Sequence, residues 1–388
     1  MLASRRKALG AAGAAGVALA LVATPAFADY GPQAGDVVGV GSDTVQNIGN
    51  FLTDGSGGLS GYNNAGNKNR FVSFDATADA NDRAVYANAG TTPLKTTIIL
   101  RAGTNPVQRP NGSGAGIAAL LADTGATPKI NFVRMSRLPK TTEQSQAVTN
   151  GWGGLNVYKV AKDDLVMAGK KASLGGNAVA VSATDLVAIY QCTKTTWNQV
   201  GGTSTATIIP EIPQSGSGTG DTFRADLQTI NGGTAVTLGS CVQTVEENDP
   251  NSLTDPNAYA PFSDGRKKLF DNGYFHDPNT AYPGGAALTS NIDLLYGAQT
   301  PEACTPPTSG ASLTYCDTRG LYFVIRHTDL ASATPFQPGG AKNFANTLFD
   351  DTSGTPYVKS PAGQSLIASA GVNATYVNCG FGTGVTSC

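Results

Sequence analysis

The run Thr207 to Ile212 is β-like, Pro213-Gln214-Ser215-Gly216-Ser217-Gly218-Thr219 is small and polar, and Phe223, Leu227 and Ile230 then recur at helical spacing. A strand that turns through glycine and serine directly into a helix leaves the first helical amides unobstructed. It presents free N–H donors, the positive end of the helix dipole and hydroxyl groups at one point. Glycine and serine also make ordinary turns, so one such stretch constrains little. This chain repeats the pattern twice more. Asp36 to Val40 reads as a strand, Gly41-Ser42-Asp43-Thr44 as its turn, and Val45, Ile48 and Leu52 as a helix face. Thr96 to Leu100 reads as another strand, Asn111-Gly112-Ser113-Gly114-Ala115-Gly116 as a turn, and Ile117, Leu120 and Leu121 as the helix after it.

Further along, Ile130, Phe132 and Val133 form a strand that ends at Met135-Ser136-Arg137-Leu138-Pro139, and Val157 to Met167 is strand-like again. Thr184 to Tyr190 is a capped helix, followed by Trp197-Asn198. Strands and helices alternating in this way predict an α/β fold with mixed, mainly parallel sheets flanked by helices, and a ligand held at the carboxyl ends of strands. Arg134 and Arg137 bring cations close to the turns from the end of the Phe132 strand. Asp43 with Gln46 fits a capping box, a role compatible with ligand binding.

Arg5-Arg6-Lys7, an uncharged apolar core up to Pro25 and Ala26-Phe27-Ala28 make residues 1–28 a signal peptide, with Ser4-Arg5-Arg6 hinting at twin-arginine export. The apolar run falls short of the roughly 20 residues that a membrane anchor needs. No cysteine lies near the cleavage point, so the exported protein is not a lipoprotein. Losing those three cations takes the net charge from −2 to −5, which excludes a general attraction to nucleic acid or to an anionic membrane. Any anion must be held by local dipoles and nearby charges.

Cys192, Cys241, Cys304, Cys316, Cys379 and Cys388 are an even set in an exported chain and are expected to pair. Loop closure favours Cys304 with Cys316 and Cys379 with Cys388, leaving Cys192 for Cys241. No metal is expected, because C-x-x-C spacing is absent and the histidines, His276 and His327, are solitary. No cofactor is implied either. Ser113 and Ser217 lack a G-x-S-x-G elbow and Gly169-Lys170-Lys171 is not a Walker loop, so neither hydrolase nor ATPase chemistry is expected of this chain.

The Gly-Ser turn near the start, Asn111 to Gly116, Phe132 to Pro139, Asp185 to Tyr190 with Trp197-Asn198, and Gly216-Ser217-Gly218-Thr219 together resemble the phosphate-binding proteins of ABC importers, in a divergent actinobacterial-type branch. The resemblance covers most of the exported chain. It implies a two-lobe periplasmic-binding-protein-like fold of type II with a hinge, the first lobe from residues 29–154 plus 320–388 and the second from 155–319. Its implied activity is capture of a tetrahedral oxyanion, inorganic phosphate, for a permease with transmembrane and ATPase subunits, outside the cytoplasm and without catalysis. The family's ligand positions fall on Ser42, Asp43, Thr44, Ser113, Gly114, Ser136, Arg137, Ser217, Gly218 and Thr219. Two departures stand out. Ser136-Arg137 replaces Ser-Asp, and Pro213-Gln214-Ser215 replaces Arg-Ser-Asp, so the family's arginine and acidic acceptors are missing from their places. On this reading Asp43 takes over as acceptor, or only caps its helix, and Arg137 supplies the cation and neutralises Asp43. The competing classes are a secreted or cell-wall interaction protein of the same fold and, further off, a secreted hydrolase.

Overall fold

The computed structural model describes residues 31–388 except 68, 77–96, 174–176, 276–289, 306, 311, 332–346, 353 and 383. The leader read at residues 1–28, Thr96 and His276 lie outside the described residues. β1 (Val37–Gly41) is buried along its length and leads into α1 (Gln46–Asp54), which turns Ile48, Phe51 and Leu52 inward. β2 (Phe71–Ser73) and, after α2 (Ser113–Ala122), β3 (Phe132–Met135) pair in parallel with β1 on its two sides. α3 (Thr141–Thr149) then leads to β4 (Leu155–Lys170).

In the second half α4 (Ala183–Tyr190) is capped by the Ser182 hydroxyl, which accepts from the Asp185 amide. β5 (Ile209–Pro213) feeds α5 (Gly218–Ile230), and β6 (Gln243–Val245) and β7 (Ala258–Ser263) flank β5 in parallel. α6 (Asp264–Asp271) follows directly on β7. β8 (Ile292–Leu294), β9 (Cys316–Arg326), α7 (His327–Ala331), α8 (Pro361–Ser369) and β10 (Asn373–Gly382) complete the chain.

The strands join in the order β6-β5-β7-β4-β9-β3-β1-β2, with β8 and β10 also hydrogen-bonded to β4. Parallel pairing, expected throughout most of the sheet, is confined to the two flanks. Through the centre β7, β8, β9 and β10 all run antiparallel to β4, and β9 runs antiparallel to β3. The alternating pattern registers each local strand-turn-helix unit but carries no information about the direction of strands that return from 90 or more residues away. β4 has 16 residues, about 50 Å at the usual rise, and so reaches both flanks. Its run Leu155, Val157, Tyr158, Val160 and Leu165 to Ala168 is buried because neighbours cover both faces.

One apolar cluster, with Leu165, Met167, Leu186, Trp197, Phe223 and Tyr315, belongs to residues 165–315, and a second, with Val40, Ile117, Val133, Val157 and Val324, to the other flank. A third cluster joins Ile48, Phe71 and Phe132 to Phe262, Phe270 and Leu366 across both halves. The cysteines are joined as Cys192–Cys241, Cys304–Cys316 and Cys379–Cys388, with Cα separations of 6.0, 5.4 and 5.4 Å.

Buried Glu211 on β5 makes stability depend on pH. Desolvation, with Asp249 and Asp255 adding to it, pushes its carboxyl up from 4.5 to about 7, against a hydrogen bond from Ser252. The folded state therefore binds a proton that the unfolded chain has released, from the ordinary value up to the raised one. Stability from this group is complete below pH 4.5 and falls as pH rises to about 7. The loss is on the order of 3 kcal/mol at 1.36 kcal/mol per unit. Glu211→Gln should flatten the fall in melting temperature between pH 5 and pH 8. An unchanged profile by calorimetry would rule Glu211 out as its source.

Candidate functional site

The three strand-to-helix turns meet inside the protein. Arg134, at the end of β3 and fully buried, holds the first turn by donating to the carbonyls of Ser42 and Gly41, both at 3.3 Å, while the Ser42 amide donates back to the Arg134 carbonyl at 2.8 Å. The second and third turns close on each other: the Gly114 amide donates to the Gly216 carbonyl at 2.8 Å. Asn111 donates to Glu246 at 2.9 Å, and Gln214 Oε1 accepts from the Glu247 amide at 2.9 Å, so residues 246–247 are tied to both turns.

Around the meeting point Ser113 Oγ lies 3.2 Å from Ser136 Oγ and accepts from the Ser136 amide at 3.0 Å. Gly218 packs directly over both hydroxyls. A Cβ there would sit 2.1 Å from Ser113 Oγ and 2.3 Å from Ser136 Oγ, which only glycine avoids. Thr44 Oγ1 and Thr219 Oγ1 are 3.2 Å apart. Ser217 is used locally: its hydroxyl accepts from the Gly220 amide at 2.9 Å and caps α5.

Arg137 does not face this point as a free cation. Its Nη1 and Nη2 donate to the Glu143 carboxylate at 2.9 and 2.8 Å, and its Nε donates to Asp221 at 2.7 Å. Burial works against its charge, but these two carboxylates hold the guanidinium above its ordinary value. The sequence reading placed Arg137 at the end of the Phe132 strand but could not see that α3 and α5 bring acids to it. Arg137→Ala should therefore leave oxyanion affinity within about threefold, because no donor of the site is lost. A loss beyond tenfold in titration calorimetry would return Arg137 to the site.

The cation beside Asp43 is Arg266 instead. α1 begins at Gln46 with Val45 as N-cap and no side-chain cap. The Asp43 carboxylate accepts from Asn248 at 3.1 Å, and its Oδ1 lies 4.0 Å from Arg266 Nε. Arg266, in the first turn of α6, is 1% exposed, stacks over Phe275 with 4.9 Å to the ring centre and donates to Asn47. Its Nε and Nη2, the Ser42 hydroxyl and Asn47 Nδ2 are buried with no hydrogen-bond partner among the described residues. Desolvation lowers the Arg266 guanidinium to about 10, which leaves it charged at neutral pH. A second buried cation, Arg319 on β9, donates to Thr219 Oγ1 at 2.7 Å and pairs with Asp163 at 3.1 Å. Asp163 also accepts from the Ser263 hydroxyl and the Gly265 amide at the start of α6, so one carboxylate positions both arginine-bearing elements. Burial raises the Asp163 carboxyl despite Arg319.

A model of the PBP superfamily domain matches residues 99–346, more than half of the chain. The chain belongs to the PBP superfamily. No curated protein sequence matches it. Among solved structures, a protein titled a phosphate ABC transporter substrate-binding protein with bound phosphate, from Clostridium perfringens, aligns at a TM-score of 0.51 and 16% identity, over 88% of this chain and 99% of that one. An ABC-type phosphate transport receptor from Vibrio cholerae aligns at 0.48 and 16%, over 88% and 100%. Identities at this level show the fold alone.

In this PBP chain the sequence reading named the hydroxyl-bearing turns, and Arg266, Arg319, Glu247 and Asn248, which the fold brings beside those turns, were not among its candidates. None of these lies in a glycine turn. The only signal for Arg266 was its place one residue after Gly265 at the start of a helix, with Ser263 as cap. Among the described residues the group closest to a metal site is Asp164 with Cys304 and Cys316, and those two sulfurs form a disulfide. No helix of the described residues is long and apolar enough to cross a membrane.

Proposed function

We propose that this protein captures a tetrahedral oxyanion, inorganic phosphate, between the three turns and hands it to an ABC importer outside the cytoplasm. The observation that carries this reading is Arg266. A buried guanidinium whose Nε and Nη2 have no hydrogen-bond partner among the described residues is costly, and an oxyanion matches that pair of donors in geometry and charge. Ser42, Thr44, Ser113, Ser136, Gly218 and Thr219 supply the surrounding hydroxyls and amides, and Arg319 adds charge behind Thr219. The phosphate-bound Clostridium perfringens structure supports phosphate as the anion.

Two lobes, 29–154 with 320–388 and 155–319, move about β4 and β9 in this reading, as hinge closure requires. The role is non-catalytic, and the permease and ATPase subunits are the partners. The test is thermal shift of the purified protein with phosphate, sulfate, arsenate and a phosphonate. A ligand that binds only the folded state at a hundredfold excess over Kd adds about 2.7 kcal/mol. A raised midpoint with phosphate is expected, and no response to any of the four overturns the reading.

A further inference from the structure

A threonine hydroxyl has one proton to donate. Thr219 Oγ1 accepts from Arg319 Nη1 at 2.7 Å, and Thr44 Oγ1 accepts from Asn248 Nδ2 at 3.2 Å and Arg319 Nη2 at 3.4 Å. Both hydroxyls donate to the same atom, Oε1 of Glu247, at 2.8 Å from Thr44. Glu247 is 0% exposed. Its amide is held by Gln214 in the third turn, and its neighbour Glu246 holds Asn111 in the second. The carboxylate is therefore aimed, by contacts from three loops, at the place where the first and third turns join.

We infer that Glu247 is an internal anion, which takes the hydroxyl donors of Thr44 and Thr219, clamps the first turn against α5, and must be displaced before an oxyanion can use them. The inference rests on the oxyanion reading of the same site. Two anions cannot share these donors. Each hydroxyl has a single proton, and the buried cations Arg266 and Arg319 already stand beside the carboxylates of Asp43 and Asp163. The clamp works between elements 203 residues apart in the chain, Thr44 and Glu247. It keeps the site closed by the same bonds that a ligand would make. A ligand's affinity is the difference between its own contacts and those of the carboxylate it replaces.

Glu247→Gln keeps an acceptor oxygen and removes the charge, so inorganic phosphate and sulfate should each bind about tenfold more tightly than to the unsubstituted protein in titration calorimetry. Phosphate weakening while sulfate strengthens would overturn the inference, since Glu247 would then be receiving the proton of the bound anion. Unchanged affinities would overturn it as well. Small-angle scattering without added anion reads the clamp independently: Glu247→Ala, with its folding checked by circular dichroism, should show a larger radius of gyration than the unsubstituted protein. Should neither protein bind any oxyanion, the proposed function falls. The scattering alone then decides, expansion of the alanine variant supporting the clamp and an identical radius overturning it.

Discussion

Arg266→Met should lower affinity for phosphate and sulfate alike by about 100-fold. The methionine fills much of the same volume beside Phe275 but removes a buried guanidinium with two nitrogens that have no hydrogen-bond partner among the described residues. Truncating one partner of a buried, charge-assisted contact costs about 2–5 kcal/mol, and 100-fold corresponds to about 2.7 kcal/mol. Both anions should suffer, because a guanidinium offers donors and charge without distinguishing a protonated oxygen from an ionised one. Titration calorimetry on the folded variant checks this. Affinity within threefold of the original would make Arg266 the counter-ion of Asp43 and nothing more.

Phe132→Ala should cost about 3–5 kcal/mol of stability, the usual range for a large side chain removed from a core. Phe132 is fully buried on β3, with its ring 5.3 Å from Phe71, 5.4 Å from Phe323 and 5.2 Å from Phe349. It lies against Gly39 of β1, where a Cβ would stand 2.0 Å from the ring. The glycine and the phenylalanine thus fit as a pair, and the cluster stitches β1, β3 and β9 beneath the turns. Denaturant unfolding of the variant measures the loss. A cost below 1 kcal/mol would mean that the neighbouring rings collapse into the space. Because Phe132 touches no ligand group, phosphate affinity of the folded variant should stay close to the original.

How far the site could be read in advance differs from residue to residue. Ser113, Ser136, Gly218 and Thr219 were named as candidates because each lies in or beside a turn that opens a helix, and a turn's composition is visible within a few residues. Asp43 was a candidate as well, but its partner was assigned to Arg137, taken as the replacement for the family's missing arginine. Arg137 is instead matched by Glu143, six residues on, and Asp221. The partner that stands beside Asp43, Arg266, comes from a helix with no glycine-rich signature. Glu247 and Asn248 follow a short edge strand and carry no motif at all. A charge's sequence neighbours say little about which opposite charge it meets, since that depends on packing of elements hundreds of residues apart.

The sequence by itself determined the strand-to-helix units at β1 and β5, the glycine turns that open the helices and the short cysteine loops. Each of these depends on interactions between residues close along the chain, whose geometry is set by backbone sterics and by the 3.6- and 2-residue periods. The strand read at Thr96 to Leu100 is instead a two-residue strand, Thr97–Ile98, paired with Val107–Gln108 away from the main sheet. Only the tertiary structure decided that the centre of the sheet is antiparallel, that Arg266 and Arg319 are the buried cations beside the turns, and that Glu247 accepts from both threonines. Those outcomes depend on contacts at separations such as 203 residues for Thr44 and Glu247 or 100 for Thr219 and Arg319. At such distances the chain imposes no preferred partner, and burial of apolar surface on β4 and β9 brings the polar groups together.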